Sequence, residues 1–509
     1  MPEGGVSHKR IAKNTIALYV RGLISVIIGL YTSRVVIDTL GVEDYGVYGV
    51  AGGFVGLLAF LNGAMSGATS RFITYEMGLG DQERIKKTFA NALTVHLAIA
   101  AIVLFVCEAV GVWFINTQLN IPSGRMTAAN VLFQLSVFSA CVSITQVPYS
   151  ALIISHEKMG IYAYMEIANV SLKLVIVYFL LVLPGDKLIV YGILTAIVSL
   201  VIAMAYRFYC LRKFSESRTG PKYEKSIIKP ILSFSGWDMY GNLCVTIKNQ
   251  GITFLLNIFF GVAINGAAQI TSVINGTLQG FSANIVTAFR PQIIKNYAIK
   301  ALDQFQNLII QASQFSTLML IMMALPLIIE TPYVFGLWLG KVPEWVVIFS
   351  RITIITSIIN QINSVIGIGI HATGNIIRIS FLSGTIFLLN LPLVWLVLKL
   401  GGSPPTAFII GVFIILIIVL VNIINLKHNV KEFKIWRYLY KISILPLVSV
   451  PAALVCFVLH RNMEVGFDRF TFVCISSVFF MSISTYLFIL DREQRKSVIK
   501  KIRHVIKKK

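Results

Sequence analysis

Along the whole chain, apolar runs alternate with short breaks rich in glycine, proline and charge. Many runs approach the ~20 residues that a helix needs to cross a bilayer core. Runs and breaks together predict about fourteen spans. Their cores lie near 12–38, 47–74, 88–115, 127–154, 161–183, 188–210, 230–260, 266–289, 305–329, 345–370, 379–399, 405–426, 442–460 and 470–490. No segment long enough to form a separate soluble domain remains between them. The chain reads as an all-α polytopic membrane protein.

Polar positions inside four of these spans recur at helical spacing. Span one carries Asn14, Arg21, Ser25 and Thr32; span two carries Asn62, Ser66, Thr69 and Ser70. Span seven carries Asp238, Asn242, Thr246, Asn249 and Thr253, with Lys248 flanking the stripe. Span eight carries Gln269, Ser272, Asn275, Gln279 and Ser282, ending near Arg290. Such a stripe must face protein or water, because lipid leaves its hydrogen-bonding groups unsatisfied. Small polar residues also join helices to one another, and that reading accounts for any single Ser or Thr. Four stripes in equivalent places favour a water-filled cavity.

The places are equivalent because a shift of 220 residues aligns Gly41-Val42 with Gly261-Val262, Gly46 with Gly266 and Gly56 with Gly276. In each half, two polar-striped spans flank a tight turn. The first of these turns is "LGVEDYG", residues 40–46, where Glu43 and Asp44 stand on a side poor in Lys and Arg and read as a periplasmic corner. The expected organisation is an N-lobe over 1–214, a cytoplasmic linker over 215–229 and a C-lobe over 230–426. Two extra spans over 427–490 and a basic tail over 491–509 follow. Six spans per lobe relate the lobes by a pseudo-twofold axis along the membrane normal, with spans one, two, seven and eight lining the cavity.

Composition agrees with this picture. Of 509 residues, 56% are hydrophobic and 13% charged, against about 25% charged in soluble domains; the mean hydropathy is +0.79. The formal charge of +22 would suggest nucleic acid on a soluble face, but here it follows topology. Of the 44 basic residues, 33 fall in one set of loops, and Arg34, Arg125, Lys187, Lys341, Arg351, Lys399, Arg461 and Arg469 fall in the other. The positive-inside rule then places both termini in the cytoplasm. The tail "RKSVIKKIRHVIKKK" has apolar residues at helical spacing and reads as an amphipathic helix on the anionic leaflet. The six cysteines lie in or beside apolar runs without paired spacing, so they read as small hydrophobes, not a disulfide or metal set. The first span lacks a small-residue cleavage site and reads as uncleaved.

Charges within spans are the candidate chemistry, since a basic residue in hydrocarbon is costly. Arg21 lies about 13 Å into span one, and Lys248 near the middle of span seven. Lys173 follows Glu166 by two turns in span five, with Asn169 between them, which predicts a neutralising network. Arg71 and Arg290 close the cytoplasmic ends of spans two and eight and serve equally as anchors or as groups that meet an anion. Asp238 and Glu166 are candidates for ion coupling, and Asp238 has Arg21 and Lys248 as candidate partners. His96 and Glu108 in span three read as packing or interfacial groups. Pro148, Pro326 and Pro392 interrupt spans four, nine and eleven as bending points.

The stretch "KRIAKNTIALYVRGLISVIIGLYTSRVVIDTLGVEDYGVYGV", followed by "FLNGAMSGATSRF", resembles the N-terminal region of bacterial polysaccharide (O-antigen) flippases of the Wzx type. These belong to the multidrug/oligosaccharidyl-lipid/polysaccharide exporter superfamily. "VPYSALIISHEKMGIYAY" looks like that family's junction between spans four and five. The resemblance implies a two-lobed, fourteen-span transporter of the inner membrane, working by alternating access; the chain is expected to be a monomer. Its cargo would be a polyprenyl-diphosphate-linked oligosaccharide. It also implies a cationic cavity, for which Arg21, Lys248, Lys173, Arg71 and Arg290 are the candidates. H⁺ or Na⁺ would be the coupling ion, with no other cofactor and no catalytic or metal residues. Membrane lipids and other polysaccharide-assembly proteins are the partners to expect, and nucleic acid is not. A drug or metabolite antiporter of the same fold is the nearest alternative and predicts a smaller, more acidic or aromatic cavity. A membrane glycosyltransferase or ligase needs a general acid or base on sizeable outer loops, which the chain lacks. Polar stripes alone are also compatible with a channel.

Overall fold

A computed structural model describes residues 59–117, 123–339, 342–490 and 495, together with 14, 18, 20–25, 27–29, 31, 32, 35, 36, 39, 40, 44 and 48. Among them there are helices and no strands. The helices are α1 (Ala59–Leu79), α2 (Gln82–Val106, continued by a π turn to Thr117), α3 (Met126–Ser155), α4 (Met159–Val182) and α5 (Lys187–Lys213). There follow α6 (Lys225–Ala298), α7 (Leu302–Ile329), α8 (Thr331–Leu339), α9 (Val346–Thr373), α10 (Ile377–Lys399) and α11 (Thr406–Asn429). The last two are α12 (Ile435–Asn462) and α13 (Phe467–Phe488). Among the described residues, eleven helical segments are long and apolar enough to cross a membrane. They correspond to every predicted span except the first, second and eighth. The predicted tail helix, Glu43, Gly41 and Gly46 lie outside the described residues.

Local sequence accounts for the helix ends. The Asp81 carboxylate accepts from Arg84 N at 3.0 Å and caps α2, while Asp186 accepts from Leu188 N and Ile189 N and caps α5. Pro148, Pro326 and Pro392 lie inside α3, α7 and α10, as expected.

The predicted break at 261–266 is where the structure differs. Helical hydrogen bonding is continuous through α6, because no proline or charge interrupts residues 251–289. The chain nevertheless reverses. In a straight helix Asp238 and Arg290 would stand about 78 Å apart, yet both approach Gly67. Leu256 and Ala268 likewise share one hydrophobic cluster.

Two compact units emerge. The first comprises Met1–Leu243, Ala288–Ala301 and His371–Phe381; the second comprises Cys244–Thr287, Leu302–Ile370 and Leu382–Lys509. In the first, α3 packs on α5, and Phe89, Tyr149, Leu152 and Tyr206 form its core. The linker is docked: Thr94 Oγ1 donates to Lys222 O at 2.6 Å, and Glu224 N donates to Asn91 Oδ1 at 2.6 Å. Glu216 in this linker is buried against His156. Burial alone would push its carboxyl up, but hydrogen bonds from His156, its own backbone and Ser215 hold it below the ordinary range.

The acidic corner is more than a marker of sidedness. Asp44 is buried, and Arg125 bridges it to Asp186. A carboxylate out of water needs such a counter-charge. In the second unit, α12 and α13 pack on α7 through Leu318, Ile321, Leu445, Val448 and Met481. A fully buried carboxylate, Glu330, ties all three together by contacting His460 Nδ1 at 2.8 Å and Arg469 Nη2 at 2.7 Å.

Candidate functional site

The second unit contains a cavity of about 550 Å³. The two arms of α6 bring Lys248, Asn249 and Thr253 opposite Asn275 and Gln279. Helix α9 adds Thr353, Thr356, Ser357 and Asn360, α10 adds Phe387 and Asn390, and α11 adds Phe408 and Gly411. The α9 residues recur at i, i+3, i+4 and i+7, which puts them on one face. That stripe was legible in the sequence, but no second copy elsewhere drew attention to it. Asn390 stands alone among leucines and has no periodic signal.

Among the described residues, none that lines this cavity is a carboxylate. The Lys248 ammonium lies 5.5 Å from the Phe387 ring centroid, and among the described residues no carboxylate pairs with it. The wall is mixed, with Val245, Leu256 and Phe408 among its apolar residues. A cation whose polar neighbours are amides and hydroxyls, with no acid to neutralise it, suits an anion that also carries hydroxyls.

A second cavity, of about 270 Å³, lies in the first unit and is lined by Ser66, Gln146, Tyr162, Glu166 and Tyr206. The Arg21 guanidinium lies 5.6 Å from the Tyr162 ring centroid. Tyr206 donates to Glu166 Oε1 at 3.2 Å. The predicted Glu166–Lys173 network is not formed: Lys173 is exposed and makes no ion pair with Glu166. Seven residues of helix separate the two by about 10.5 Å along the axis, whereas Tyr206 brings a hydroxyl directly to the carboxylate.

The first unit also gathers Arg71, Asp238, Arg290 and His371. Asp238 Oδ1 lies 3.6 Å from His371 Nε2. A Cβ on Gly67 would stand 3.5 Å from Arg290 Nη2 and 3.8 Å from Asp238 Oδ2. Asp238 thus has Arg290 and His371 beside it, rather than the Arg21 or Lys248 that sequence offered. Its stripe divides: Asp238 joins this cluster, and Asn249 and Thr253 line the cavity of the second unit. His371 was missed because a single His before a helix-ending glycine carries no pattern.

Buried Arg71 donates from Nη2 to Ala372 O at 3.3 Å and lies over Phe72 and Tyr75 at 4.6 and 4.8 Å. It thereby meets the negative end of α9. Gly374 terminates that helix at φ +80°, and a Cβ there would come within 2.4 Å of Arg71 Nη2. Gly374→Ala is therefore expected to destabilise the protein by about 1–3 kcal/mol. Gly336→Ala, where nothing lies within 4 Å, is expected to be neutral or slightly stabilising. Thermal unfolding of the two purified variants checks this, and equal melting temperatures would remove the constraint.

The remaining candidates are dispersed. Buried Asn14 donates to Glu157 O at 3.2 Å, Ser25 is half-buried in the first unit, and Asn242 is exposed. The side chains of Asn62 and Gln269 lie outside the described residues. His96 is buried and hydrogen-bonded to Thr69 at 3.0 Å, while Glu108 accepts from Gln134 at 3.1 Å.

Residues 11–297, more than half of the chain, match the family model described as "Polysaccharide biosynthesis protein". The chain belongs to this family. A curated relative of this polysaccharide-biosynthesis protein is the "Uncharacterized membrane protein EpsK" of Bacillus subtilis (strain 168), 19% identical over 303 residues. That match covers 58% of this chain and 59% of the relative, so the chain spans about three-fifths of the relative's length. Among solved structures, an outward-facing multidrug resistance MATE family transporter of the MOP superfamily superposes with TM-score 0.71 at 12% identity. The superposition covers 84% of this chain and 96% of that one. A MOP superfamily transporter from Pyrococcus furiosus Vc1 gives 0.65 at 12% identity, covering 83% and 96%. The polysaccharide-biosynthesis protein is therefore a multi-pass membrane protein with a MATE-type transporter fold.

Proposed function

We propose that this membrane transporter is a flippase carrying a polyprenyl-diphosphate-linked oligosaccharide, such as an O-antigen, capsule or exopolysaccharide unit, across the bacterial inner membrane. Alternating access is the proposed mechanism. The observation that supports the reading is the cavity around Lys248, where no carboxylate stands among the described lining residues. Its cargo has an anionic diphosphate, a hydroxyl-rich glycan and a long apolar tail. Taking the first two through hydrocarbon desolvates charge and hydroxyls together. A half-buried ammonium among amides replaces that hydration, while the tail stays in lipid. No bond is made or broken. A drug antiporter calls for carboxylates to hold cations, and none lines this cavity among the described residues.

Arg21 beside Tyr162 is the second cationic element proposed for the cargo. Asp238 and Glu166 are the groups proposed to couple movement to H⁺ or Na⁺. The test is reconstitution of the purified full chain into liposomes containing undecaprenyl-diphosphate-linked oligosaccharides, with leaflet movement followed with and without imposed H⁺ and Na⁺ gradients. Movement above protein-free liposomes, accelerated by one gradient, is expected. Movement of cationic drugs with the lipid-linked sugars left behind would overturn the reading in favour of the antiporter.

A further inference from the structure

The cavity of the second unit holds a buried polar group that neither the fold nor the anion site uses. Asn390 is 1% exposed, and among the described residues neither its Oδ1 nor its Nδ2 has a hydrogen-bond partner. Both atoms belong to a side chain that lines the cavity. Buried amides are normally satisfied, and others nearby are. Asn422, equally buried, donates to Asn363 Oδ1 at 2.8 Å and accepts from Ser383 at 2.9 Å. Several other polar groups of the cavity wall are paired: Ser357 and Gln279 both donate to Asn275 Oδ1, and Thr271 is bonded to Ser350 outside the lining. Among the described residues of the cavity wall Thr353 Oγ1 is also unpaired, but only Asn390 carries both an unspent donor and an unspent acceptor on one planar group.

Its surroundings narrow what fits there. The missing side chain of Gly411 leaves a slot beside it, where a Cβ would stand 3.9 Å from Asn390 Nδ2. Phe387, Ile414 and Ile415 line the same cavity around that slot and make this stretch of wall apolar. A secondary amide bearing a methyl group complements such a wall. Its N–H meets Oδ1, its carbonyl accepts from Nδ2, and its methyl lies on the apolar surface. A vicinal diol offers the hydrogen bonds but leaves the apolar surface uncovered. A carboxylate has no donor for Oδ1.

We infer that Asn390 is a specificity-determining residue that reads an acetamido-bearing sugar of the cargo. This rests on the flippase reading above and adds the class of sugar to it. The 550 Å³ cavity lies within the ~300–1,000 Å³ typical of small-molecule sites, so a short glycan segment fits.

The test compares N,N′-diacetylchitobiose with cellobiose, which share ring and linkage and differ by acetamido against hydroxyl. Binding to the purified full chain is measured by calorimetry, and stability by thermal unfolding. The wild-type protein is expected to bind the acetamido disaccharide about tenfold more tightly, the equivalent of ~1.4 kcal/mol. Asn390→Leu, of similar size, is expected to erase that preference and to raise the melting temperature without sugar, because it removes an unpaired buried amide. Should Asn390→Leu not fold, Gly411→Ala is expected to fill the slot and reduce the same preference. Equal or absent binding of the two sugars by the wild-type protein would overturn the inference. So would a preference that survives in the variants, or a lowered melting temperature for Asn390→Leu. A protein that moves lipid-linked glycan without this preference sinks the Asn390 assignment alone. One that shows the preference but moves no lipid-linked glycan sinks the flippase reading alone.

Discussion

Replacing Lys248 by Gln is expected to lower glycan export at least tenfold while the protein stays in the membrane at its normal level. Among the described residues the cavity wall supplies no carboxylate to hold the ammonium, so removing the charge strands no acid there. The fold therefore has little reason to suffer. A charge-assisted hydrogen bond contributes about 1.5–3 kcal/mol, or about 10- to 100-fold in affinity. Lys248→Arg is expected to retain part of the activity, since it keeps the charge but changes reach and geometry. The measurement is surface glycan per unit of membrane-extracted protein. Normal export by Lys248→Gln at normal abundance would remove Lys248 from the site, and with it the electrostatic argument for an anionic cargo.

Arg469→Ala is expected to have the largest effect on stability, about 3–5 kcal/mol, because it leaves a buried carboxylate without its main counter-charge. Glu330 is 0% exposed and is held by Arg469 and by His460, whose charge depends on protonation. Arg469 also donates toward the carbonyls of His460 and Met463 at the turn between α12 and α13, at 3.4 and 3.5 Å. Its loss should loosen both terminal helices from α7. The double replacement Glu330→Leu with Arg469→Met removes both charges and is expected to recover most of the loss, as apolar substitutes for buried pairs often do. Thermal unfolding in detergent reads both variants. A single variant as stable as the wild type, or a double variant worse than the single, would show that the pair does not hold α12 and α13 in place.

Arg469 and Arg125 belong to the eight basic residues in the loops predicted to face outward, and both have structural partners. Arg125 holds Asp44 and Asp186. Arg351, from the same set, donates to Ile328 O at 3.0 Å. Counting charges by loop could identify these residues as exceptions but could not say what retains them. Each partner is distant in sequence, and an ion pair or a hydrogen bond across such a distance leaves no periodic trace.

Long apolar runs determined the membrane class and the helices, because a helix in lipid must be apolar along its length and satisfies its own backbone. The helical period placed Asn249, Asn275 and Gln279 on polar faces, and the depth of Lys248 marked it as costly. These inferences need only local spacing. Tertiary structure alone decided which charge meets which: Glu166 with Tyr206 rather than Lys173, Asp238 with His371 and Arg290, Glu330 with Arg469. It also decided that α6 keeps helical bonding through its reversal, and that α9 and α10 complete the cavity. The reason is physical. Hydropathy and period report the solvent each residue must face, whereas pairing depends on distances across helices that no window along one chain contains.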